Sequence, residues 1–565
     1  MNKDNITTKA LVSTIKEPIS AIKEPISTIK EPISEEKRIE NITNKLLTYQ
    51  IPHFYQMIET IKRSNCILDA SDTGTGKTYT TLALAKALKL KPLVICPKSV
   101  IPSWISVAKH FGIKLFGISN YELFKGCKYY TENYEKVDCP YMDKIIEKIP
   151  PKKNHVGVDE VNKDTAKSKK TFRFYLPTDT MIIFDEAHRC KNHGTITSQL
   201  LQGMIKTKCK IVLVSATISD KIPCFKPFGL AFGFYDNLKH FKVWMMRQIR
   251  ARKIEFERLK RQGMFIDGDE QKLMIIHDKI FPQKGSRMKI AELGDMFPKN
   301  NIITQFYFCE NYKEVQKEYD IINDCLKKLH EQWEQAELLG KIIRARQKIE
   351  MYKVPILMDL AEEALDGGYS VVMFVNYLDT MYNLADQLKA DCLIHGGQSL
   401  EERTACISDF QNNKRKVIIC IIQAGGVGIS LHDIHGGHPR MSIMSPTWSG
   451  QDVKQALGRI HRAGSKTPAV QKLVYCDKTW EEHLAKIVTS KIKNIEAIND
   501  KSLDGGVFDT EQYTEMLDKV ESVVKTDILG ERPESFTSIK KLKKSNKNFN
   551  TKKIPKDIKV KKKQT

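Results

Sequence analysis

The sequence predicts an α/β fold: two parallel-sheet lobes with helical insertions, flanked by disordered termini. Three observations predict it. The apolar run Cys66-Ile67-Leu68 leads into a glycine-rich turn and then a helical pattern from Tyr79 to Leu90. Further apolar runs at 93–96, 181–184 and 211–214 end in polar or small residues and alternate with helical stretches, as in a parallel sheet covered on both faces. A second series, with strands at 370–374, 392–394 and 417–421, repeats the pattern without a second turn of that kind. At 565 residues the chain has room for two full cores.

Residues 1–43 are expected to form a disordered arm. The unit Thr14-Ile15-Lys16-Glu17-Pro18-Ile19-Ser20 recurs at 21–27 and 28–34, and a proline in each unit excludes a continuous helix. The first lobe spans 44–225, and an amphipathic stretch opens it at Leu47-Thr48-Tyr49-Gln50 and runs to Ile61. Within it, 125–180 reads as a mobile surface insertion, with Pro150-Pro151-Lys152-Lys153 and Lys167-Ser168-Lys169-Lys170 and little periodicity. Residues 226–355 read as a helical insertion and linker. Phe241 to Arg261 makes one strongly basic helix there, and Tyr312 to Tyr352 a long one whose core face includes Val315, Tyr319, Leu326, Leu329 and Trp333. The second lobe spans 356–498. Residues 499–565 are an extension with a disordered basic tail that suits nonspecific nucleic-acid contact or a nuclear signal.

The net charge of +23, from 91 basic and 68 acidic residues, favours a polyanionic partner, nucleic acid first. The 13 cysteines include no CxxC, and the nearest pair, Cys127 and Cys139, is 12 apart. A zinc site is therefore unsupported, and reduced thiols in an intracellular compartment are expected. No apolar run approaches a membrane span, and no signal peptide is expected from the polar opening Met1-Asn2-Lys3-Asp4-Asn5.

The turn Ser71-Asp72-Thr73-Gly74-Thr75-Gly76-Lys77-Thr78 carries the chemistry. Strand, glycine turn and helix N-terminus together make a phosphate cradle. Gly74 and Gly76 let backbone N–H groups point inward, Lys77 meets the outer phosphates, and the Thr78 hydroxyl suits Mg²⁺. Ser71 stands where the general pattern has its first glycine. Gln50 lies 27 residues before Lys77, within reach of an adenine edge. Asp185 and Glu186 end the strand Met181-Ile182-Ile183-Phe184, at the mouth of a parallel sheet. Asp185 suits Mg²⁺ and Glu186 an attacking water. Ser215 and Thr217 end the next strand and suit a relay between nucleotide site and neighbouring lobe. Arg459 and Arg462, three apart on one helical face, suit a γ-phosphate across an interlobe cleft.

Together these segments resemble a superfamily 2 helicase core of two RecA-like lobes over roughly 44–498. The nearest branch is the Swi/Snf-like DNA translocases. Pro97-Lys98-Ser99 with Trp104 resembles their first nucleic-acid motif, and Asp185-Glu186-Ala187-His188-Arg189-Cys190-Lys191-Asn192 their extended DEAH box. Ser286-Arg287-Met288-Lys289 with Phe297-Pro298-Lys299 is similar to their basic and LP elements, and Lys478-Thr479-Trp480-Glu481-Glu482 to their brace. The stretches 345–374 and 422–429 are similar to the annealing-helicase branch. Ser215-Ala216-Thr217 and Trp448-Ser449-Gly450 depart from the Swi/Snf pattern.

The resemblance implies ATP and Mg²⁺ as ligands. The ATP-binding set would be Gln50, Ser71 to Thr78 and Gly428, and the catalytic set Lys77, Glu186, Arg459 and Arg462. His188, Ser215, Thr217 and Gln455 would couple the lobes. The expected activity is ATP-driven translocation on duplex DNA, with a strand-unwinding RNA or DNA helicase and a nucleotide-gated nucleic-acid scaffold as alternatives. The Lys/Asn/Ile-heavy composition suits an AT-rich genome such as that of a protist or a large DNA virus, and a place in nucleus, cytoplasm, virion or viral factory.

Overall fold

The computed structural model describes residues 34–148, 168–262, 267–294, 297–328, 335–425 and 428–500. The repeats up to residue 33, the basic pairs at 150–153, Leu329 and Trp333, and the tail beyond 500 lie outside the described residues.

The first sheet is built from β1 (Cys66–Asp69), β2 (Lys91–Cys96), β3 (Gly117–Asn120), β4 (Lys128–Tyr130) and β5 (Lys136–Asp138). A separate antiparallel ribbon, β6 (Met142–Lys148) with β7 (Ser168–Phe174), follows. β8 (Thr180–Asp185), β9 (Lys210–Val214) and β10 (Gly285–Ser286) return to the first sheet. Its order is β10-β1-β9-β8-β2-β3-β4-β5, parallel from β10 to β3 and antiparallel beyond. The second sheet uses β11 (Asn300–Tyr307), β12 (Ser370–Val375), β13 (Leu393–Ile394), β14 (Val417–Ile421), β15 (Arg440–Met444) and β16 (Ala469–Cys476). Its order is β11-β16-β15-β12-β14-β13, parallel throughout. Central strands such as Ser370–Val375 are buried at every position, because helices cover both faces, so they read as unbroken apolar runs.

Four expectations change. The arm ends earlier than residue 43: Glu35–Thr43 is a helix capped by Ser34, and Ile42 is buried in the first lobe's core. The insertion at 125–180 is in large part ordered. β4 and β5 extend the first sheet, while Tyr129, Cys139, Met142 and Phe172 enter its core. Residues 226–355 divide between the lobes. Helices between 226 and 280 share the first lobe's core through Phe228, Phe241, Leu273 and Ile276, and β10 joins its sheet. β11 and the helices Tyr312–Lys328 and Gln335–Tyr352 belong to the second lobe. The basic helix is two, Phe241–Ala251 and Lys253–Arg261, broken at Arg252, whose backbone leaves the helical region and whose guanidinium donates to Asp278 at 2.6 Å.

The last helix, Glu481–Asp500, starts in the second lobe and ends against the first. His277 Nδ1 lies 3.0 Å from the Ile498 carbonyl, and Asn499 donates to the Ala216 carbonyl at 2.7 Å. Its first residue anchors it. Glu481 accepts from Lys353 at 3.2 Å, from Tyr319 at 3.1 Å and from the Cys476 amide at 2.7 Å, all out of water.

Candidate functional site at the lobe interface

β1 places the phosphate turn at the C-terminal end of the first sheet. Gly74 and Gly76 have φ of 94° and 88°, the left-handed region that a side chain resists, and they turn the chain into the helix Lys77–Ala87. Lys77 Nζ folds back on the carbonyls of Ser71 at 2.9 Å and Asp72 at 3.0 Å. Gln50 is buried behind the turn; its Nε2 donates to the Thr75 carbonyl at 2.9 Å and its Oε1 accepts from the Leu47 amide. A Cβ on Gly76 would stand 2.2 Å from that Nε2. Tyr49 OH donates to the same Thr75 carbonyl.

Ser71 and Asp72 have tasks of their own. Ser71 Oγ accepts from the Met288 amide at 3.0 Å. Asp72 accepts from Arg287 Nη2 at 2.8 Å and from the Ile290 amide at 2.9 Å. The segment after β10 is thereby fastened to the shoulder of the turn. Below it the buried Asp69 carboxylate accepts from the Ser71 amide and lies 3.2 Å from His53 Nε2.

Asp185 closes β8. Trp104 Nε1 donates to its Oδ2 at 2.8 Å, and Tyr121 OH donates to its carbonyl at 2.7 Å. Trp104 is fully buried, so it supports this carboxylate from inside rather than offering a nucleic-acid contact. Sequence reading missed both partners, since 81 and 64 positions separate them from Asp185. Burial and the neighbouring Glu186 charge push the Asp185 carboxyl up to about 7. Burial also acts to raise Glu186, but His188, Lys77 and Arg459 outweigh it and hold the carboxyl low. His188 Nδ1 lies 3.4 Å from Glu186 Oε2 and 3.2 Å from Ser215 Oγ.

The second lobe reaches this cluster directly. Gln455 Nε2 donates to Glu186 Oε2 at 3.1 Å and lies 3.4 Å from His188 Nε2. Gln451, one turn earlier, donates to the Thr217 carbonyl at 2.7 Å and accepts from Lys191 at 2.6 Å. Arg459 and Arg462 are not on a helix, contrary to expectation. The helix Gly450–Leu457 stops at Gly458, where a Cβ would stand 2.7 Å from Thr73 of the phosphate turn. The chain then crosses the turn itself: a Cβ on Gly74 would meet Arg462 Cγ at 2.8 Å. Arg462 donates to the Gly458 carbonyl and to Ser430 Oγ. A Cβ on Gly428 would stand 2.1 Å from Val100 Cγ1 and 3.2 Å from Ser99 Oγ, so this glycine brings the second lobe against the segment after β2.

The donor set fits a polyphosphate. Lys77, Arg459 and Arg462 are all depressed by burial, Arg459 to about 10, and Arg462 is lowered further by Arg459. Desolvated cations pressed together favour an anion between them. For a divalent metal, Asp185 and the Thr78 hydroxyl offer a sparse oxygen set. No cluster of three or more His, Cys, Asp or Glu suited to a metal occurs among the described residues.

Comparisons with known proteins agree. Residues 43–220 match the family described as type III restriction enzyme, res subunit, and residues 352–464 match the helicase conserved C-terminal domain. A protein of Acanthamoeba polyphaga mimivirus, named as an ATP-dependent RNA helicase, is 35% identical over 475 residues, covering 82% of this chain and 85% of the relative. The chain belongs to the superfamily 2 helicases. This helicase is accordingly an ATP-hydrolysing, nucleic-acid-dependent enzyme. A RAD54-like DNA repair and recombination protein of Drosophila yakuba is 23% identical, covering 62% of the helicase but only 49% of the relative. Among solved structures, the SWI2/SNF2 ATPase core of Sulfolobus solfataricus in complex with dsDNA is 19% identical at a TM-score of 0.31, covering 84% and 96% of the two chains. No helix among the described residues is long and apolar enough to cross a membrane.

Proposed function

We propose that this helicase translocates on duplex DNA, driven by ATP hydrolysed between its lobes. The observation that carries the reading is the bond from Gln455 of the second lobe to Glu186 of the first, with Arg462 against the phosphate turn and Arg459 close enough to Glu186 to lower its carboxyl. In this reading Gln50 reads the adenine edge and the turn Ser71–Thr78 cradles the phosphates. Lys77 holds the outer phosphates, while Thr78 and Asp185 would hold Mg²⁺, which when bound would supply positive charge to the phosphate oxygens. Glu186, kept ionised by His188, orients the attacking water and takes its proton. Arg459 and Arg462 neutralise charge on the transferred group, which requires the cleft to be shut. His188, Ser215 and Thr217 connect that chemistry to Gln451 and Gln455, so that turnover and lobe movement are linked.

Duplex DNA is favoured by the resemblance of 286–289, 297–299 and 478–482 to Swi/Snf elements, and by the RAD54-like relatives. A second reading, an RNA helicase, is favoured by Ser215-Ala216-Thr217 and by the mimivirus relative's name. ATPase stimulation by duplex DNA, single-stranded DNA and RNA separates them: duplex DNA should stimulate most, and stimulation by RNA alone overturns the duplex reading. Lys77→Ala and Glu186→Gln should both abolish turnover with the fold intact. Retained stimulated turnover in Glu186→Gln would remove Glu186 from the mechanism.

A further inference from the structure

A groove of about 1210 Å³ lies at the opposite end of the first sheet from the phosphate turn. Its floor is the start of the strands: Asn65 and Cys66 enter β1, Lys210 opens β9 and Lys284 precedes β10. It runs along the helix Ile196–Met204, nine residues or roughly 14 Å, up to His193 beyond the end of β8.

The lining is strongly basic. Lys210 and Lys284 are committed to structure, since Lys210 donates to the Ile61 and Ser64 carbonyls and Lys284 to Ser64 Oγ. Five more cations converge above them: Lys62, Arg63, Lys206, Lys226 and Lys239. Glu59 approaches Lys62 at 3.0 Å and Arg63 at 3.7 Å. The one carboxylate in the lining, Asp236, is 2.7 Å from His240. Positive charge gathered in a concave site raises the local potential and draws in a polyanion.

We infer that this groove is a second docking site for the phosphodiester backbone of duplex DNA, outside the cleft between the lobes. The inference rests on the duplex reading above. The aromatics in the lining, Phe172, Phe232 and Tyr235, are buried, so the exposed side chains are mainly cations, which suit phosphates rather than bases. Such a site would hold a backbone while the lobes open, and so limit release between turnovers.

The test is the triple variant Arg63→Gln, Lys206→Gln, Lys239→Gln in the full chain, all exposed residues outside the nucleotide site. Duplex binding is measured by fluorescence anisotropy between about 50 and 200 mM salt, where each lost phosphate contact lowers the slope of log K against log salt by about 0.9. A slope smaller by about 2 to 3, with ATP turnover in the absence of nucleic acid unchanged, is the expected result. An unchanged slope overturns the inference, as does a change seen with single-stranded RNA but not with duplex DNA. Failure of the functional reading shows differently, as absent duplex stimulation of wild-type turnover whatever the slope. The charge-conserving triple variant Arg63→Lys, Lys206→Arg, Lys239→Arg should keep the wild-type slope, which a position-specific folding defect would not.

Discussion

The bond between Gln455 and Glu186 sets a measurable cost for opening the lobes. Gln455 Nε2 donates to a carboxylate at 3.1 Å in a part-buried setting, and such charge-assisted bonds contribute about 1.5–3 kcal/mol. Gln455→Ala should therefore shift the closed-to-open ratio toward open by roughly 10- to 150-fold. Gln455→Glu should do more. It loses the bond and sets two carboxylates about 3 Å apart, which at an effective dielectric constant near 20 costs about 5 kcal/mol. The readout pairs steady-state ATP turnover with energy transfer between dyes on the two lobes. Alanine should lower turnover and closure together, and glutamate should eliminate both. ATP affinity should fall with closure, because Arg462 meets the phosphate turn only when the lobes are together. Wild-type turnover in Gln455→Glu would refute the reasoning, since the closed arrangement would then have to bear the repulsion, or the protonation of one carboxylate, at no cost.

Three other outcomes follow from particular contacts. Gly76→Ala must accommodate a Cβ 2.2 Å from Gln50 Nε2 at a φ of 88°, a strain of order 1–3 kcal/mol, so nucleotide affinity measured by calorimetry should fall about tenfold or more. Glu481→Gln leaves Lys353 buried without its counter-charge and should destabilise the second lobe by about 3–5 kcal/mol in urea unfolding, most of it recovered when Lys353→Met is added. His432 is held down to about 4 by burial and by Arg462 and Arg440. The unfolded chain therefore takes up a proton near pH 6.5 that the folded chain refuses until about pH 4. The stability contribution is complete above about pH 6.5 and falls across that window as pH drops, by up to about 3 kcal/mol. His432→Gln should flatten that part of the urea-midpoint profile, and an equally steep profile in the variant would contradict the assignment.

What the sequence revealed depended on how local the signal was. The phosphate turn is spelled in eight consecutive residues, and its glycines adopt the positive φ their spacing requires. β8 and β12 are continuous apolar runs, legible because both faces are buried. β11 was not legible: Ile302 and Phe306 stay exposed, so an edge strand leaves no apolar alternation. β10 is two residues long and exists through pairing with β1. The helix ends at Leu457, and the next residue, Gly458, meets Thr73 in a contact between lobes that no periodicity within one lobe records. Trp104 carried the right motif but a different task, because only the fold turns its indole toward Asp185.

The departure at Ser71-Asp72 has a physical reason in this arrangement. A glycine at 71 would offer no hydroxyl to the Met288 amide, and without the Asp72 carboxylate Arg287 and the Ile290 amide would lose their acceptor. Arg287 also meets Asp500 at 3.0 Å, at the far end of the helix that Glu481 anchors in the second lobe. The shoulder of the phosphate turn is thus the point where two covalent connections between the lobes converge: the segment leaving β10 and the helix returning from β16. Residues that look like a weakened nucleotide motif are the acceptors that fasten both connections to the phosphate turn.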